Sequence, residues 1–158
     1  MDSVVNKLKH PKTARDISTP INKLFFIREN DEKSISSLSI LMKSKGFSHV
    51  PVLNERNAVV GVFSPNALFN YFTEHPEEDI SNLTYKDVKS YLSLDKSFSE
   101  KYCFVAANLG EEEVADTFVN NYLNNKKIAM VFVTQSGRET EPLLGVIVIK
   151  DLLEEKRS

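Results

Sequence analysis

The sequence has almost no cysteine: Cys103 is the only one among 158 residues. A single thiol excludes an internal disulfide and any zinc site built from several cysteines. Long apolar runs are missing as well. The longest, Leu143 to Ile149 with Gly145 inside it, falls far short of the roughly 20 residues a membrane-spanning helix needs. The stretch from Met1 to His10 has no apolar block of the kind that opens a secretion signal. Neither sign of charge is in excess, since 20 Lys and Arg face 22 Asp and Glu for a net charge of -2. That balance argues against nucleic-acid binding, which leaves a basic footprint. No nucleophile–base pair or glycine-rich phosphate loop is present, and His10, His49 and His75 lack metal-ligand spacing. The expectation is a reduced, cytoplasmic, non-enzymatic protein that holds no metal and touches neither membrane nor nucleic acid.

What is present is an ordinary globular composition, 41% hydrophobic and 27% charged, at a length that can bury a core without staples. It is also repetitive. Thr13-Ala14-Arg15-Asp16-Ile17 resembles Thr84-Tyr85-Lys86-Asp87-Val88, 71 residues later. Val52 to Asn57 aligns with Phe132 to Gly137 at an offset of 80, and Gly61-Val62-Phe63 with Gly145-Val146-Ile147 at 84. The offset grows only in the polar stretches Ser93 to Lys101 and Ser136 to Pro142, where insertions extend surface loops at little cost. Drift confined to loops is the mark of a duplication.

Each half reads as the same series of elements. In the first, Leu24 to Ile27 is a β-prone run, and Asp31 is placed to cap a helix carrying Ile35, Leu38, Leu41 and Met42. Gly46 suits the left-handed position that ends such a helix. Strands from His49 to Leu53 and Ala58 to Phe63 flank a polar turn, with Pro51 hinting at a sheet edge. Pro65 then opens a helix to Thr73 with Leu68, Phe69 and Phe72 on one face. The second half repeats this with a strand at Tyr102–Ala106 and a helix at Glu111–Asn124 striped by Val114, Phe118 and Tyr122. Strands Ile128–Thr134 and Leu143–Ile149 and a helix Lys150–Lys156 complete it. The domains are an arm at 1–12, one unit at 13–74, a connector at 75–83 and a second unit at 84–158. Units of about 60 residues are marginal alone, so their sheets are expected to pack on each other.

Asp16-Ile17-Ser18-Thr19-Pro20, Val50-Pro51-Val52-Leu53-Asn54-Glu55, Gly61-Val62-Phe63-Ser64 and the pair Gly145-Val146 with Asp151-Leu152 together resemble a tandem pair of CBS domains. The name comes from the regulatory region of cystathionine β-synthase. The resemblance covers roughly residues 13–153 and reads as a stand-alone pair. It implies an α+β fold of two β-α-β-β-α units related by a pseudo-twofold axis, sheets together and helices outside, and commonly a homodimer. It also implies a regulatory function: sensing an adenosine-containing ligand such as AMP, ADP or ATP in a cleft between the units. No prosthetic group is implied. The alternative is a structural or protein-interaction module with degenerate ligand sites and an unidentified protein partner.

Adenosine needs an apolar slot for its base and a carboxylate to accept from the ribose hydroxyls. Similar proteins place a Ser or Thr three residues, and an Asp six residues, after the strand glycine. Here the first copy has Ser64 but Ala67, and the second has Val148 but Asp151. The resemblance therefore implies a main cleft of Thr19, Leu24, Ser48, His49, Pro51 and Asp151, and a weak second one of Ser64, Ser90, Ile128 and Ala129, with Ala67 in place of the acid. In it His49 faces the phosphates, and imidazole titrates close to physiological pH. Plainer roles stand beside these. Asp151 and Ser64 also suit helix caps, Glu111-Glu112-Glu113 opposes a helix dipole, and Cys103 is placed as a small buried hydrophobe. Lys7, Lys9, His10, Lys12 and Arg15 form a basic, solvated or partner-contacting arm.

Overall fold

Two four-residue helices open on the same Thr-x-x-Asp device, and each belongs to one copy of the repeat. In α1 (Ala14–Ile17) the Thr13 N–H donates to Asp16 Oδ2 at 2.9 Å. In α4 (Tyr85–Val88) the Thr84 N–H donates to Asp87 Oδ2 at 2.8 Å. Such reciprocal caps satisfy amides that a helix start leaves without partners. They belong to a computed structural model that describes residues 11–94 and 100–157. Lys7, Lys9 and His10 of the basic arm lie outside the described residues.

After α1 and the short β1 (Thr19–Pro20), the first copy runs β2 (Ile27–Arg28), α2 (Ile35–Lys45), β3 (Val50–Leu53), β4 (Val59–Phe63) and α3 (Pro65–Glu74). After α4, the second runs β5 (Glu100–Ala106), α5 (Glu111–Leu123), β6 (Lys127–Thr134), β7 (Gly145–Ile147) and α6 (Ile149–Arg157). In each copy the first strand pairs in parallel with the second across a helical crossover, and the last two pair antiparallel. The β-α-β-β-α order and the α+β class are thus as expected. The sheets run β2-β3-β4 and β1-β7-β6-β5.

The two copies exchange their lead-in segments. Helix α1 and strand β1 precede the first copy but join the second: Ala14 N–H donates to Leu109 O at 2.7 Å, and Thr19 lies opposite Val146 of β7. Helix α4 precedes the second copy but joins the first: Ile35 N–H donates to Leu83 O at 2.8 Å, and Val62 N–H to Leu92 O at 2.9 Å. Glycine on the last strand is what admits the visitor. A Cβ at Gly61 would sit 2.6 Å from Leu92 O, and one at Gly145 would sit 2.8 Å from both Ser18 Cβ and Thr19 O. The compact units therefore differ from the linear repeats: one holds residues up to 24 with those from 100 on, the other residues 25–94. Each has its own core. Val114, Phe118, Val131, Ile147 and Leu152 centre one, and Ile35, Leu38, Met42, Phe63 and Val88 the other.

Several local expectations change. Ser34, not Asp31, caps α2, its Oγ accepting from Ser37 N–H at 3.1 Å, while Asp31 accepts from Lys33 N–H within the preceding turn. The strand expected at Leu24–Ile27 is only Ile27–Arg28, because Leu24 closes a 3-10 turn and Phe25 stacks on Phe47. Phe69 and Tyr122, placed on core-facing stripes by periodicity, are 72% and 75% exposed; Ala67 and Tyr71 are the buried residues of α3. Pro51 sits in the central strand rather than at an edge. It is tolerated because β2 starts opposite Val52, one residue past it, and the Val62 N–H opposite it turns away to Leu92. Gly46 does take the left-handed conformation, φ 74°, at the end of α2.

Candidate functional site

The carboxylate of Asp151 is held by the way β7 passes into α6. Strand β7 ends at Ile147, Val148 links it to α6, and Asp151 is the third residue of that helix. The Val148 N–H donates to Asp151 Oδ2 and the Asp151 N–H to Val148 O, both at 2.9 Å. The half-buried acid is thereby fixed at the helix N-terminus, where the backbone dipole favours negative charge. Thr19 belongs to the same unit, half-buried opposite Val146, and Leu24 follows at the end of the 3-10 turn. Ile128 and Ala129 are here too. The Ile128 side chain is buried in the core, whereas Ala129 is the extra residue of a bulge: Lys101 pairs with Ile128 and Tyr102 with Met130. Since β7 pairs only from Val131 on, Ala129 has no register partner in either ladder.

Ser48, His49, Pro51, Ser64 and Ser90 lie in the other unit. Ser48 Oγ and His49 Nδ1 are 2.8 Å apart just before β3, with Ser48 exposed and His49 half-buried. Pro51 is buried within the strand, and Ser90 is exposed in the 3-10 turn Lys89–Tyr91. Ser64 is 3% exposed and caps α3, its Oγ accepting from Ala67 N–H at 3.3 Å.

The two copies divide one capping device between them. Ser64 supplies the hydroxyl half with Ala67 in the acid's place; Asp151 supplies the acid half with Val148 in the hydroxyl's place. Each remaining polar group therefore has a structural task whatever else it does. Only the second copy keeps a negative charge there, so the copies are chemically unequal.

Three arrangements had no counterpart in the sequence reading. Glu141 accepts from the amides of Ser136 and Arg138, both at 3.0 Å, and from Ser136 Oγ at 2.8 Å and Thr134 Oγ1 at 3.1 Å. These donors, the Arg138 amide first, hold its carboxyl down at about 2, from an ordinary 4.5. A carboxylate five residues past a serine-glycine turn was the available signal. At the end of α3, His75 stacks on Tyr71 at 4.5 Å and its Nε2 lies 3.3 Å from Tyr91 Oη, which donates to Glu74. A shallow depression at the ends of β2 and β3, lined by Arg28, Glu29, Asn30, Leu53, Asn54 and Glu55, is partly filled by Arg28, which donates to Asn54 O at 3.0 Å. Cys103 is half-buried against the core and burial raises its thiol pKa, with Lys101 acting in the opposite direction, so it does not resemble an activated nucleophile. Among the described residues no three His, Cys, Asp or Glu side chains are grouped to hold a metal ion, and no helix is long and apolar enough to cross a membrane.

Residues 14–74 match the family model described as CBS domain. That stretch of the chain is similar to a CBS domain. The later residues repeat the same strand order, parallel then antiparallel. Comparison with curated protein sequences finds no match. Among solved structures, the chain is similar to the CBS domain of a bacterial CNNM/CorC family Mg2+ transporter in complex with ATP. Identity is 23%, the TM-score is 0.62, and the match covers 98% of this chain and 92% of that one. It is also similar to the CBS domains of a transcriptional regulator from Streptococcus pneumoniae, at 22% identity and a TM-score of 0.56, covering 90% of this chain and 97% of that one. A third is Hypoxic Response Protein I with two coordinated zinc ions, at 14% identity and a TM-score of 0.60, covering 90% of this chain and 98% of that one.

Proposed function

We propose that this CBS pair is a non-catalytic regulatory module that binds an adenosine-containing ligand, with Asp151 accepting from the ribose hydroxyls. The observation that carries the reading is the Asp151 carboxylate, pinned by the Val148 amide at the start of α6 rather than left on a mobile rotamer. A preorganised acceptor binds without a further ordering cost. Thr19, Leu24, Ser48, His49 and Pro51 are the companions the family resemblance assigns, and the ATP complex of a structurally similar CBS domain supports the ligand class. Ser64, Ser90, Ile128 and Ala129 form the weaker set, because Ala67 brings no acid. The ligand acts by favouring one conformation over another, and only to the extent that its affinity differs between them. The module works as a homodimer in the cytoplasm.

The second reading, an interaction module with decayed ligand sites, is favoured by the capping duty of both Ser64 and Asp151. A thermal-shift screen of AMP, ADP, ATP, S-adenosylmethionine and cyclic di-AMP separates the two. A ligand at a hundred times its dissociation constant stabilises by about 2.7 kcal/mol. A shift with one of them, lost in Asp151→Ala and unaltered in Ser64→Ala, supports the sensor; no shift with any supports the interaction module.

A further inference from the structure

The depression at the carboxyl ends of β2 and β3 is built differently from its duplicate. The parallel pairs Ile27–Val52 and Arg28–Leu53 match Phe104–Phe132 and Val105–Val133, so the same surface in the second copy falls to Val105, Ala106, Ala107, Thr134 and Gln135. None of these carries a charge. The second copy also covers its strand ends. Ser136 bridges to Ala106, and Gly137 sits so close that a Cβ on it would lie 3.1 Å from the Ala106 N. Gly137 and its counterpart Asn57 are both left-handed, φ 85° and 64°, so the two turns share that bend. In the first copy the corresponding positions are Arg28, Glu29, Asn30, Asn54 and Glu55, around an opening of about 240 Å³. One cation, two carboxylates and two amides thus surround a concavity that the duplicate closes.

These charges are not spent on each other. Arg28 donates to Asn54 O at 3.0 Å, and its guanidinium carbon lies 5.4 Å from the centre of the Phe26 ring. A guanidinium has five N–H donors, and this bond uses one. Among the described residues no ion pair ties Arg28 to Glu29 or Glu55. Glu29 is half-buried, and the group that feels its charge is the Tyr85 phenol, pushed up to about 12 by burial first and by Glu29 second. Leu53, wholly buried, supplies the apolar part of the lining.

Opposite charges around one small concavity suit a ligand that carries both signs. A carboxylate fits the planar fork of a guanidinium, and an ammonium group donates to carboxylate and amide oxygens. The volume lies below the roughly 300–1,000 Å³ of pockets that enclose drug-sized ligands, so a nucleotide is too large. We infer that this depression is a second ligand site, for a small α-amino acid whose carboxylate is held by Arg28 and whose ammonium group is held by Glu29 and Glu55. It is separate from the adenosine residues. Ser48 and His49 precede β3 and Asn54 follows it, and four residues of strand span roughly 13 Å.

Calorimetric titration of the full chain with alanine and with glycine tests it, beside N-acetylalanine, which lacks the cation, and alaninamide, which lacks the anion. Saturable binding of alanine is expected, at least about tenfold weaker for either derivative. Arg28→Gln and Glu55→Gln are each expected to weaken alanine at least about tenfold, with circular dichroism showing both variants folded. Asp151→Ala is expected to leave alanine binding unaltered. Amide NMR spectra place the ligand, with shifts expected at residues 28–30 and 53–55. No binding of either amino acid at millimolar concentration overturns the site. So does N-acetylalanine or alaninamide binding as well as alanine, or alanine binding that survives both Arg28→Gln and Glu55→Gln. Loss of alanine binding in Asp151→Ala would move the ligand to the adenosine residues and overturn a second site. Each of these failures leaves the adenosine reading to its own test.

Discussion

Replacing Gly61 with alanine tests the exchanged lead-ins where they are tightest. The new Cβ would lie 2.6 Å from Leu92 O and 3.2 Å from the carbonyl carbon, distances that require one of the two segments to move. Leu92 O is a main-chain atom that accepts from Val62 N–H at 2.9 Å, and the Leu92 side chain is 2% exposed in the core. A rotamer change cannot relieve the clash. Overpacking of this kind costs about 1–3 kcal/mol, and stretching the Val62 bond adds up to about 1 kcal/mol. The expected loss is therefore about 1–4 kcal/mol, read as a lower urea midpoint at unchanged slope. Leu92 fluorescence-silent packing can be followed through the tyrosines of the same unit, Tyr71 and Tyr91, which stand 5.2 Å apart edge to face. A Gly61→Ala protein within about 0.5 kcal/mol of wild type, the ordinary range for an unremarkable surface change, would refute the exchange of segments.

Other perturbations separate the remaining contributions. Gly110 has the extended φ and ψ of a helix cap and no cap side chain, and a Cβ there would meet only Glu113 Oε1 at 3.9 Å. Gly110→Ser is expected to stabilise by about 0.5–1 kcal/mol in the same urea assay, from a new cap and a less flexible unfolded chain. Glu141 titrates near 2 in the fold against an ordinary 4.5, so its stabilisation is complete above about 4.5 and is lost as pH falls toward 2. Melting temperatures of wild type and Glu141→Gln are thus expected to differ most above pH 5 and to converge near pH 2; a constant difference would contradict the assigned hydrogen bonds. Asp151→Asn keeps an oxygen for the Val148 N–H, so its melting temperature without ligand should exceed that of Asp151→Ala, which loses the cap and about 1 kcal/mol.

Much of the fold is legible in the residues because local chemistry and long-range packing agree. Gly46, Ser64 and Pro65 punctuate helices where their backbone preferences place them, and Val114 with Phe118 marks a true core face. The exchange of lead-ins is not legible. Matching Thr13–Ile17 to Thr84–Val88 reveals a duplication, but either copy of the motif could serve either set of strands. Gly61 and Gly145 carry the clue as paired glycines on last strands, without naming the visitor. Periodicity misleads at Phe69 and Tyr122 because it reports an apolar side of a helix and not what covers it. For the site, the Asp151 and Ala67 inequality is plain in the sequence. So is the suitability of Asp151 as a helix cap; its partner, the Val148 N–H, is what only the structure supplies.

The ligand-binding claim is tested most directly by calorimetric titration of the full chain with ATP and with AMP. Saturable binding at one molecule per chain for at least one of them, lost in Asp151→Ala, is the predicted result. Two equivalent sites per chain would contradict the inequality of Asp151 and Ala67, and no measurable heat with either nucleotide, together with no thermal shift, would contradict adenosine sensing itself.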